Sequence, residues 1–219
     1  MAIRSGSPEN PQLDLLGGVD AKPAEIHRLF FALVPDDVTR AQLGQAAEAL
    51  KARHPGLHAR WVNPSRYHAT LHFLGDNATL RQDVVDAAIV AAGKLRAAPF
   101  AWTLHHAASF HGRQPPCVLR SSTAPEPMQQ LWQDLRLALI RAGQGGHIER
   151  SITPHVTVAY SHGQLLDVTP IEPVTWMVEE FALIHSIVGQ PDCQMLACWP
   201  LQLGESDAEA RYTTSSTQP

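Results

Sequence analysis

The sequence predicts an α+β fold built on antiparallel sheets, and three observations lead to this prediction. Strand-like and helical segments interleave without a glycine-rich phosphate loop. The last strand-like runs follow one another directly, without helices between them. The order strand, helix, strand also occurs twice at similar spacing, which indicates an internal duplication. Together these features favour antiparallel α+β over a doubly wound parallel sheet.

The first half of the chain opens with an apolar, strand-like run over residues 29–34, which a proline ends. A helix is predicted over residues 36–52, since Asp36 or Asp37 can cap its N-terminus. Its apolar positions fall on one helical face: Leu43, Ala46, Ala47 and Leu50. A second strand-like run follows over residues 67–75 and closes with glycine.

The second half repeats this order. A short apolar run at residues 117–119 precedes a predicted helix over about 125–142 and a strand over 152–160. The helix has apolar residues at helical spacing: Met128, Leu131, Trp132, Leu135 and Leu139. The distance from the first strand of each half to the histidine in its last strand is similar: 38 residues from Phe30 to His68, and 36 residues from Leu119 to His155.

The remaining elements and the domain limits follow from the same patterns. A helix is predicted over about 79–96, and strands are predicted near 100–106, 178–187 and 193–199. The flanking segments are polar and lack periodicity, so we expect a flexible N-terminal tail over 1–24 and a flexible C-terminal tail over 204–219. The folded domain is predicted over residues 25–203.

Composition sets the general class of the protein. With 219 residues and 44% hydrophobic content, the chain can bury a sizeable core. The formal net charge of −4 and the pI of about 6.3 give no global attraction for long nucleic acids. No membrane span or signal peptide is predicted, and we expect a cytoplasmic monomer. The three cysteines lack metal-site spacing and are expected to be small buried residues.

Two copies of a His-x-Thr-apolar motif carry the predicted chemistry: residues 68–71 (HATL) and residues 155–158 (HVTV). On a strand, side chains alternate between faces, so each histidine shares a face with its threonine. A single such motif is more often a hydrogen-bonded core histidine. Two copies at matched positions are harder to explain by packing, because a core requires apolar residues and not polar pairs.

Two imidazoles suit the opening of a cyclic phosphodiester. One neutral histidine can deprotonate the attacking water while a protonated one donates to the departing sugar oxygen, and each group can contribute about 10²–10⁴ in rate. The hydroxyls of Thr70 and Thr157 can donate hydrogen bonds to the non-bridging phosphate oxygens. This chemistry predicts an enzyme that needs no metal and no cofactor.

From about Arg28 to Leu201 the sequence resembles the RNA 2′,3′-cyclic phosphodiesterases, also called 2′-5′ RNA ligases, of the two-histidine phosphoesterase superfamily. The resemblance lies in both motifs and in four flanking segments: RLFFAL from Arg28, FLG from Phe73, FHG from Phe110, and PPCVL from Pro115. It implies a bilobal, duplicated fold in which antiparallel sheets line a central cleft, with helices on the outside and a pseudo-twofold axis.

The resemblance also implies a reaction. It is hydrolysis of an RNA 2′,3′-cyclic phosphate end to a 2′-phosphomonoester, with His68 as proton donor to the leaving oxygen and His155 as proton acceptor. Some relatives run the reverse chemistry and join RNA halves through a 2′-5′ linkage, so RNA ends, tRNA halves among them, are the expected partners. The alternatives are a phosphodiesterase for small cyclic nucleotides or ADP-ribose cyclic phosphate, a noncatalytic RNA-end-binding module, and a histidine-rich metalloprotein.

Tyr160 departs from the family pattern, in which an arginine or lysine usually stands three residues after the second threonine. By strict alternation Tyr160 would point away from His155 and Thr157. We expect the strand to end near Ala159, which would put the Tyr160 hydroxyl at the rim of the cleft as a substrate-binding group. His72 shares the face of His68 and Thr70 by the same alternation, but packing is its more common role.

Overall fold

The computed structural model describes residues 25–202. The two predicted tails, residues 1–24 and 204–219, lie outside the described residues, and so does the predicted end of the domain at residue 203. Within residues 25–202 no helix is long and apolar enough to cross a membrane.

Nine strands and three α-helices form the described part of the chain. The strands are β1 (His27–Leu33), β2 (Ala59–Trp61), β3 (Ala69–Asn77), β4 (Phe100–Ser109), β5 (Pro116–Arg120), β6 (Val156–Ser161), β7 (Thr169–Val178), β8 (Glu180–Ile187) and β9 (Cys193–Pro200). The helices are α1 (Asp37–Arg53), α2 (Gln82–Ala92) and α3 (Glu126–Arg141). Short 3-10 turns at Pro64–Arg66 and Gly145–His147 complete the described elements.

The strands form two antiparallel sheets that repeat one topology. One sheet has the order β3-β1-β8-β9, and the other has the order β2-β6-β5-β4-β7. Apart from the additional edge strand β2, the two sheets have matching strand orders. In the five-stranded sheet β6, β5, β4 and β7 take the places that β3, β1, β8 and β9 take in the four-stranded sheet. In each set, the strand before a helix pairs with the strand after it: β1 with β3 around α1, and β5 with β6 around α3. The predicted α+β class and the duplication are confirmed.

The two halves of the sequence interleave, because each sheet contains strands from both halves. Helix α1 comes from the first half but contacts β7 of the five-stranded sheet, and α3 comes from the second half but contacts β3 of the four-stranded sheet. Strands β8 and β9, from the end of the chain, complete the sheet that β1 begins. The sheets therefore do not correspond to the sequence halves.

The two longest helices follow the predicted patterns. Helix α1 is capped by Asp36, whose side chain accepts a hydrogen bond from the Thr39 amide at 2.7 Å, and all four predicted core positions are buried. The five predicted core positions of α3 are buried as well. Helix α2 is shorter than predicted, because it ends at Ala92 just before a glycine.

Strand β7 was not predicted from the sequence, and its prolines explain why. Pro170 and Pro173 lie within the strand, where each lacks the amide hydrogen that a central strand donates. Because β7 is the edge of its sheet, prolines are tolerated there.

The expectation that all three cysteines are buried is wrong for two of them. Cys117 is buried on the central strand β5, but Cys193 and Cys198 are exposed. Both exposed cysteines lie on β9, which is the edge strand of the four-stranded sheet.

The four-stranded sheet has apolar residues on both faces. The face toward the helices belongs to the main core and includes Leu29, Phe31 and Leu33. The other face carries a smaller apolar cluster: Phe30, Ala32, Ala182 and Ile184, with Val34 and Phe73 packed against it. This second face is the one that meets the first predicted histidine.

Candidate active site

The two His-x-Thr motifs stand at the start of equivalent strands. His68 directly precedes β3 and His155 directly precedes β6. The predicted alternation holds through both motifs, since each histidine and each threonine is half-buried while the intervening residues are buried. The side chains of Thr70 and Thr157 make no hydrogen bond within the described part of the chain, so both hydroxyls are available to a ligand.

The two sheets adjoin through these strands. β3 contacts β6, and we call this meeting place the junction. The charge of His155 lowers the pKa of His68, so the two imidazoles lie within electrostatic range of each other across the junction. The structure thus brings the two predicted histidines to one place.

Each imidazole is oriented by the same local hydrogen bond. The Nδ1 atom of His68 lies 2.7 Å from the carbonyl oxygen of Arg66, and Nδ1 of His155 lies 2.7 Å from the carbonyl oxygen of Thr153. A carbonyl can only accept, so Nδ1 carries the hydrogen and donates in both residues. Nε2 of each ring remains free to take or give a proton, which is the arrangement that a general base and a general acid require.

An aromatic ring packs against each histidine. Phe30 lies 5.0 Å from His68 between ring centroids, tilted by 32°, and Phe110 lies 4.9 Å from His155 in an edge-on arrangement at 85°. These phenylalanines restrict ring rotation and remove water from one side of each imidazole. The environment therefore disfavours the charged form.

Burial lowers the pKa of both histidines below the ordinary value. The hydrogen bond to the Arg66 carbonyl raises the pKa of His68 and so acts against burial. The charges of Arg66 and His155 lower this pKa further. For His155 the carbonyl of Thr153 opposes burial, and the charge of Arg120 adds to the lowering. Both imidazoles are therefore mainly neutral at pH 7.

Arg120 is a site neighbour that the sequence did not reveal. It ends β5, and because Leu119 pairs with Val156, Arg120 lies beside His155 on the adjacent strand. It is half-buried, and its Nε atom has no hydrogen-bond partner among the described residues. The strand pairing supplies this contact, and no local motif could have indicated it.

A β-bulge corrects the predicted position of His72. Phe31 pairs with His72 and Ala32 with Thr70, which leaves Leu71 as the extra residue. The bulge shifts the alternation, so His72 points away from Thr70 and is buried at 1% exposure, with its Nε2 2.9 Å from the carbonyl of Trp132. The shared face predicted for His68 and His72 is wrong.

The equivalent bulge brings Tyr160 to the face of Thr157. Cys117 pairs with Ala159 and Val118 with Thr157, so Val158 is the extra residue. β6 continues to Ser161, and the expectation that it ends near Ala159 is wrong. Strict alternation fails at Val158, and Tyr160 therefore shares the face of the second motif.

Two arginines meet Tyr160 from different sheets. The guanidinium of Arg60, on β2, lies over the Tyr160 ring at 5.0 Å from its centroid. The hydrogen bond to Asp76 raises the pKa of Arg28, on β1, and the nearby Tyr160 raises it as well. Arg28 forms a paired hydrogen bond with Asp76 at 2.8 and 2.7 Å and lies 5.6 Å from the ring of Phe73.

Among residues 25–202, no three or more histidine, cysteine or acidic side chains are grouped so that they could hold a metal ion.

Comparisons with known proteins identify a family model and solved structures that this chain resembles. Residues 34–119, which include the first motif, match the family model described as LigT like phosphoesterase. The crystal structure of E. coli LigT in apo form is 26% identical, with a TM-score of 0.65 over 82% of this chain and 99% of that one. The E. coli LigT complex with 3′-AMP is 25% identical, with a TM-score of 0.66 over 82% and 100%.

A third structure, TT0787 of Thermus thermophilus, is 24% identical and shares the fold, with a TM-score of 0.65 over 80% of this chain and 97% of that one. A search of curated proteins finds no match to the sequence. The predicted resemblance to the two-histidine phosphoesterase superfamily is confirmed: residues 34–119 match the LigT-like phosphoesterase model, and most of the chain matches the structures of E. coli LigT.

Proposed function

We propose that this phosphoesterase hydrolyses RNA 2′,3′-cyclic phosphate ends to 2′-phosphomonoester ends. The observation that carries the proposal is the matched orientation of the two imidazoles: each Nδ1–H donates to a carbonyl two residues earlier, and each Nε2 is left free at the junction. A packing role would not require the same tautomer at two equivalent positions.

The proposed reaction uses one histidine on each side of phosphorus. A water oxygen attacks phosphorus as His155 Nε2 takes a proton from that water, and the bond between phosphorus and the 3′ oxygen breaks. Protonated His68 gives its Nε2 proton to the 3′ oxygen, so the products are a 2′-phosphate and a free 3′ hydroxyl. Thr70 and Thr157 donate hydrogen bonds to the non-bridging oxygens, on which negative charge builds in the transition state.

The E. coli LigT complexes with 3′-AMP, ATP and NADP+ support a nucleotide-type ligand for this fold. We extend that class here to an RNA end, because the family resemblance covers both motifs and their flanking segments. If the 5′ hydroxyl of a second RNA attacks the same cyclic phosphate in place of water, the 3′ oxygen leaves as before and takes a proton from His68, and the product is a 2′-5′ linkage.

End-group analysis tests the proposal directly. Wild-type protein incubated with an oligoribonucleotide ending in 2′,3′-cyclic phosphate should yield only the 2′-phosphate. His68→Ala and His155→Ala should each lower turnover by at least about 100-fold, because each removes one proton-transfer group.

His54→Ala, at the C-terminal end of α1, is the matched control and should keep wild-type turnover. Near-wild-type turnover by a folded His68→Ala or His155→Ala protein would contradict the proposed role of that residue. A 3′-phosphate product would contradict the assigned direction of bond cleavage, and RNA binding without turnover would favour a binding module.

Turnover is also expected to persist in excess EDTA, because proton transfer by two imidazoles requires no metal. Loss of activity with chelator, restored by a divalent cation, would instead support a metal-dependent enzyme.

A further inference from the structure

Arg60 is placed to contact a ligand that occupies the junction. It pairs with Tyr160 across β2 and β6, and the bulge at Val158 puts Tyr160 on the face of Thr157. Its guanidinium lies 5.0 Å from the centroid of the Tyr160 ring, within the range of a cation–π contact. The second motif and Arg60 therefore lie on one continuous surface.

The charge of Arg60 is not compensated. Asp76 neutralises Arg28, the other arginine near Tyr160, through two hydrogen bonds. Within residues 25–202, no carboxylate pairs with Arg60, and its side chain is exposed. Of the two arginines at Tyr160, only Arg60 has a free positive charge to offer.

The stacked arrangement determines which part of Arg60 a ligand can reach. The Tyr160 ring covers the guanidinium at its face, so the N–H donors at the edge of the group point outward. Those donors have the fork geometry that matches two oxygens of a phosphate. A phosphate oxyanion is thus the chemistry that this group recognises.

Arg60 lies at some distance from the proposed position of the reacting phosphate, so it is placed to contact a second phosphate of the ligand. Tyr160 lies three residues beyond Thr157, a separation of up to roughly 10 Å along a strand. The reacting phosphate is proposed to lie at the histidines and threonines of the motifs, so the cation at Tyr160 is displaced along the ligand. We propose that Arg60, held on the Tyr160 ring, binds the phosphate on the 5′ side of the terminal nucleotide and so makes the enzyme prefer RNA chains over mononucleotides.

This inference rests on the proposed function, and two substrates test it. One is adenosine 2′,3′-cyclic phosphate, which lacks a second phosphate. The other is a diadenosine chain, linked 3′-5′, that ends in a 2′,3′-cyclic phosphate. Wild-type kcat/KM should be higher on the chain, and Arg60→Gln should reduce the ratio of the two kcat/KM values about tenfold, as expected for one charge-assisted contact.

The salt dependence gives an independent readout. Loss of one phosphate contact should make the slope of log kcat/KM against log salt concentration shallower by about 0.7 on the chain. Arg96→Gln is the matched control, because Arg96 is also exposed but its side chain donates only to backbone carbonyls after α2. It should change neither the ratio nor the slope.

Two variants of Tyr160 separate the role of its ring from the role of its hydroxyl. If the ring supports Arg60, Tyr160→Phe should keep the substrate ratio and Tyr160→Ala should reduce it as Arg60→Gln does. If the hydroxyl contacts substrate, Tyr160→Phe should weaken binding, and that outcome would overturn the proposed arrangement.

Failure of the inference can be distinguished from failure of the proposed function. Equal wild-type kcat/KM on both substrates, or an equal loss on both in Arg60→Gln, would overturn the role of Arg60 while leaving the phosphodiesterase activity in place. Absence of wild-type turnover on both substrates would overturn the proposed function itself.

Discussion

The two histidines are held by a bond that belongs to the backbone of their own segment. In each motif the imidazole donates to the carbonyl two residues earlier, at the point where the chain enters a strand. No side chain from elsewhere in the described part of the chain fixes the tautomer. A short motif can therefore specify an oriented imidazole by itself, which is why the sequence alone could propose both histidines and both threonines as candidate site residues.

The side chains around the histidines could not be identified in this way. Arg120 and Arg60 reach the junction through strand pairing, which joins residues far apart in the chain. His72 was assigned to the wrong face, and Tyr160 was placed at the cleft by a strand end that does not exist, because an extra residue in each strand shifts the alternation. A bulge depends on the partner strand, so the pattern of a single strand does not reveal it.

Arg120 provides a test of the electrostatics at the residue scale. The pKa of both histidines lies below 6.5, so kcat/KM should follow a bell-shaped pH profile with its maximum on the acid side of pH 6.5. Arg120→Gln removes the positive charge beside His155 and raises the pKa of that imidazole. The pH at which kcat/KM is highest should then rise, whether His155 controls the acidic or the alkaline side of the profile.

Arg120→Lys keeps the charge and should leave the profile where it is in the wild type. Initial rates from about pH 4.5 to 8.5, a range that brackets the ordinary pKa of histidine, measure the effect on one cyclic-phosphate substrate. A profile that is unchanged in a folded Arg120→Gln protein would show that this charge does not act on the reacting histidine.

At the scale of elements, the helices were easier to predict than the strands. The core positions of α1 and α3 repeat at helical spacing, and each helix buries them against one sheet. Strand β7 was missed because its prolines are typical of loops unless the strand lies at an edge. Its place in the sheet depends on β4, which no local pattern reveals.

The cap of α1 gives a prediction for a single element. Asp36 accepts a hydrogen bond from the Thr39 amide, so Asp36→Ala should lower the free energy of unfolding by about 1 kcal/mol. Asp36→Asn keeps an acceptor of similar capping strength and should change stability much less. Urea denaturation of the wild type and of both variants measures the free energy of unfolding. An equal decrease in both variants would show that the carboxylate acts through its charge and not as a cap.

At the scale of the whole molecule, α3 and β3 are joined by two reciprocal hydrogen bonds. Trp132 Nε1 donates to the Leu71 carbonyl at 2.9 Å, and His72 Nε2 donates to the Trp132 carbonyl at 2.9 Å. The two rings stack at 4.9 Å. Since α3 and β3 come from different halves of the sequence, this contact is part of what makes the interleaved halves one folded unit.

His72 should make this unit sensitive to acid. Burial lowers its pKa to about 4, the bond to the Trp132 carbonyl opposes this, and the charge of Arg136 adds to the lowering. Nδ1 has no hydrogen-bond partner among the described residues, so a proton there would be buried without an acceptor. The folded protein therefore holds His72 neutral at a pH where the unfolded chain already protonates it.

The sign and size of the effect follow from this difference. Above about pH 6.5 the imidazole is neutral in both states and contributes no pH dependence. As the pH falls from about 6.5 to 4, the unfolded state binds a proton that the folded state does not, and the free energy of unfolding should fall by about 3 kcal/mol from His72 alone. The variant His72→Gln tests this effect. Its glutamine side chain can still donate a hydrogen bond to the Trp132 carbonyl but does not titrate, so the free energy of unfolding of this variant should fall less between about pH 6.5 and pH 4. Urea denaturation at about pH 7.5 and pH 4, on either side of this window, measures the free energy of unfolding of the wild type and of His72→Gln. Equal losses in wild type and His72→Gln would show that the buried imidazole does not set the acid limit of the fold.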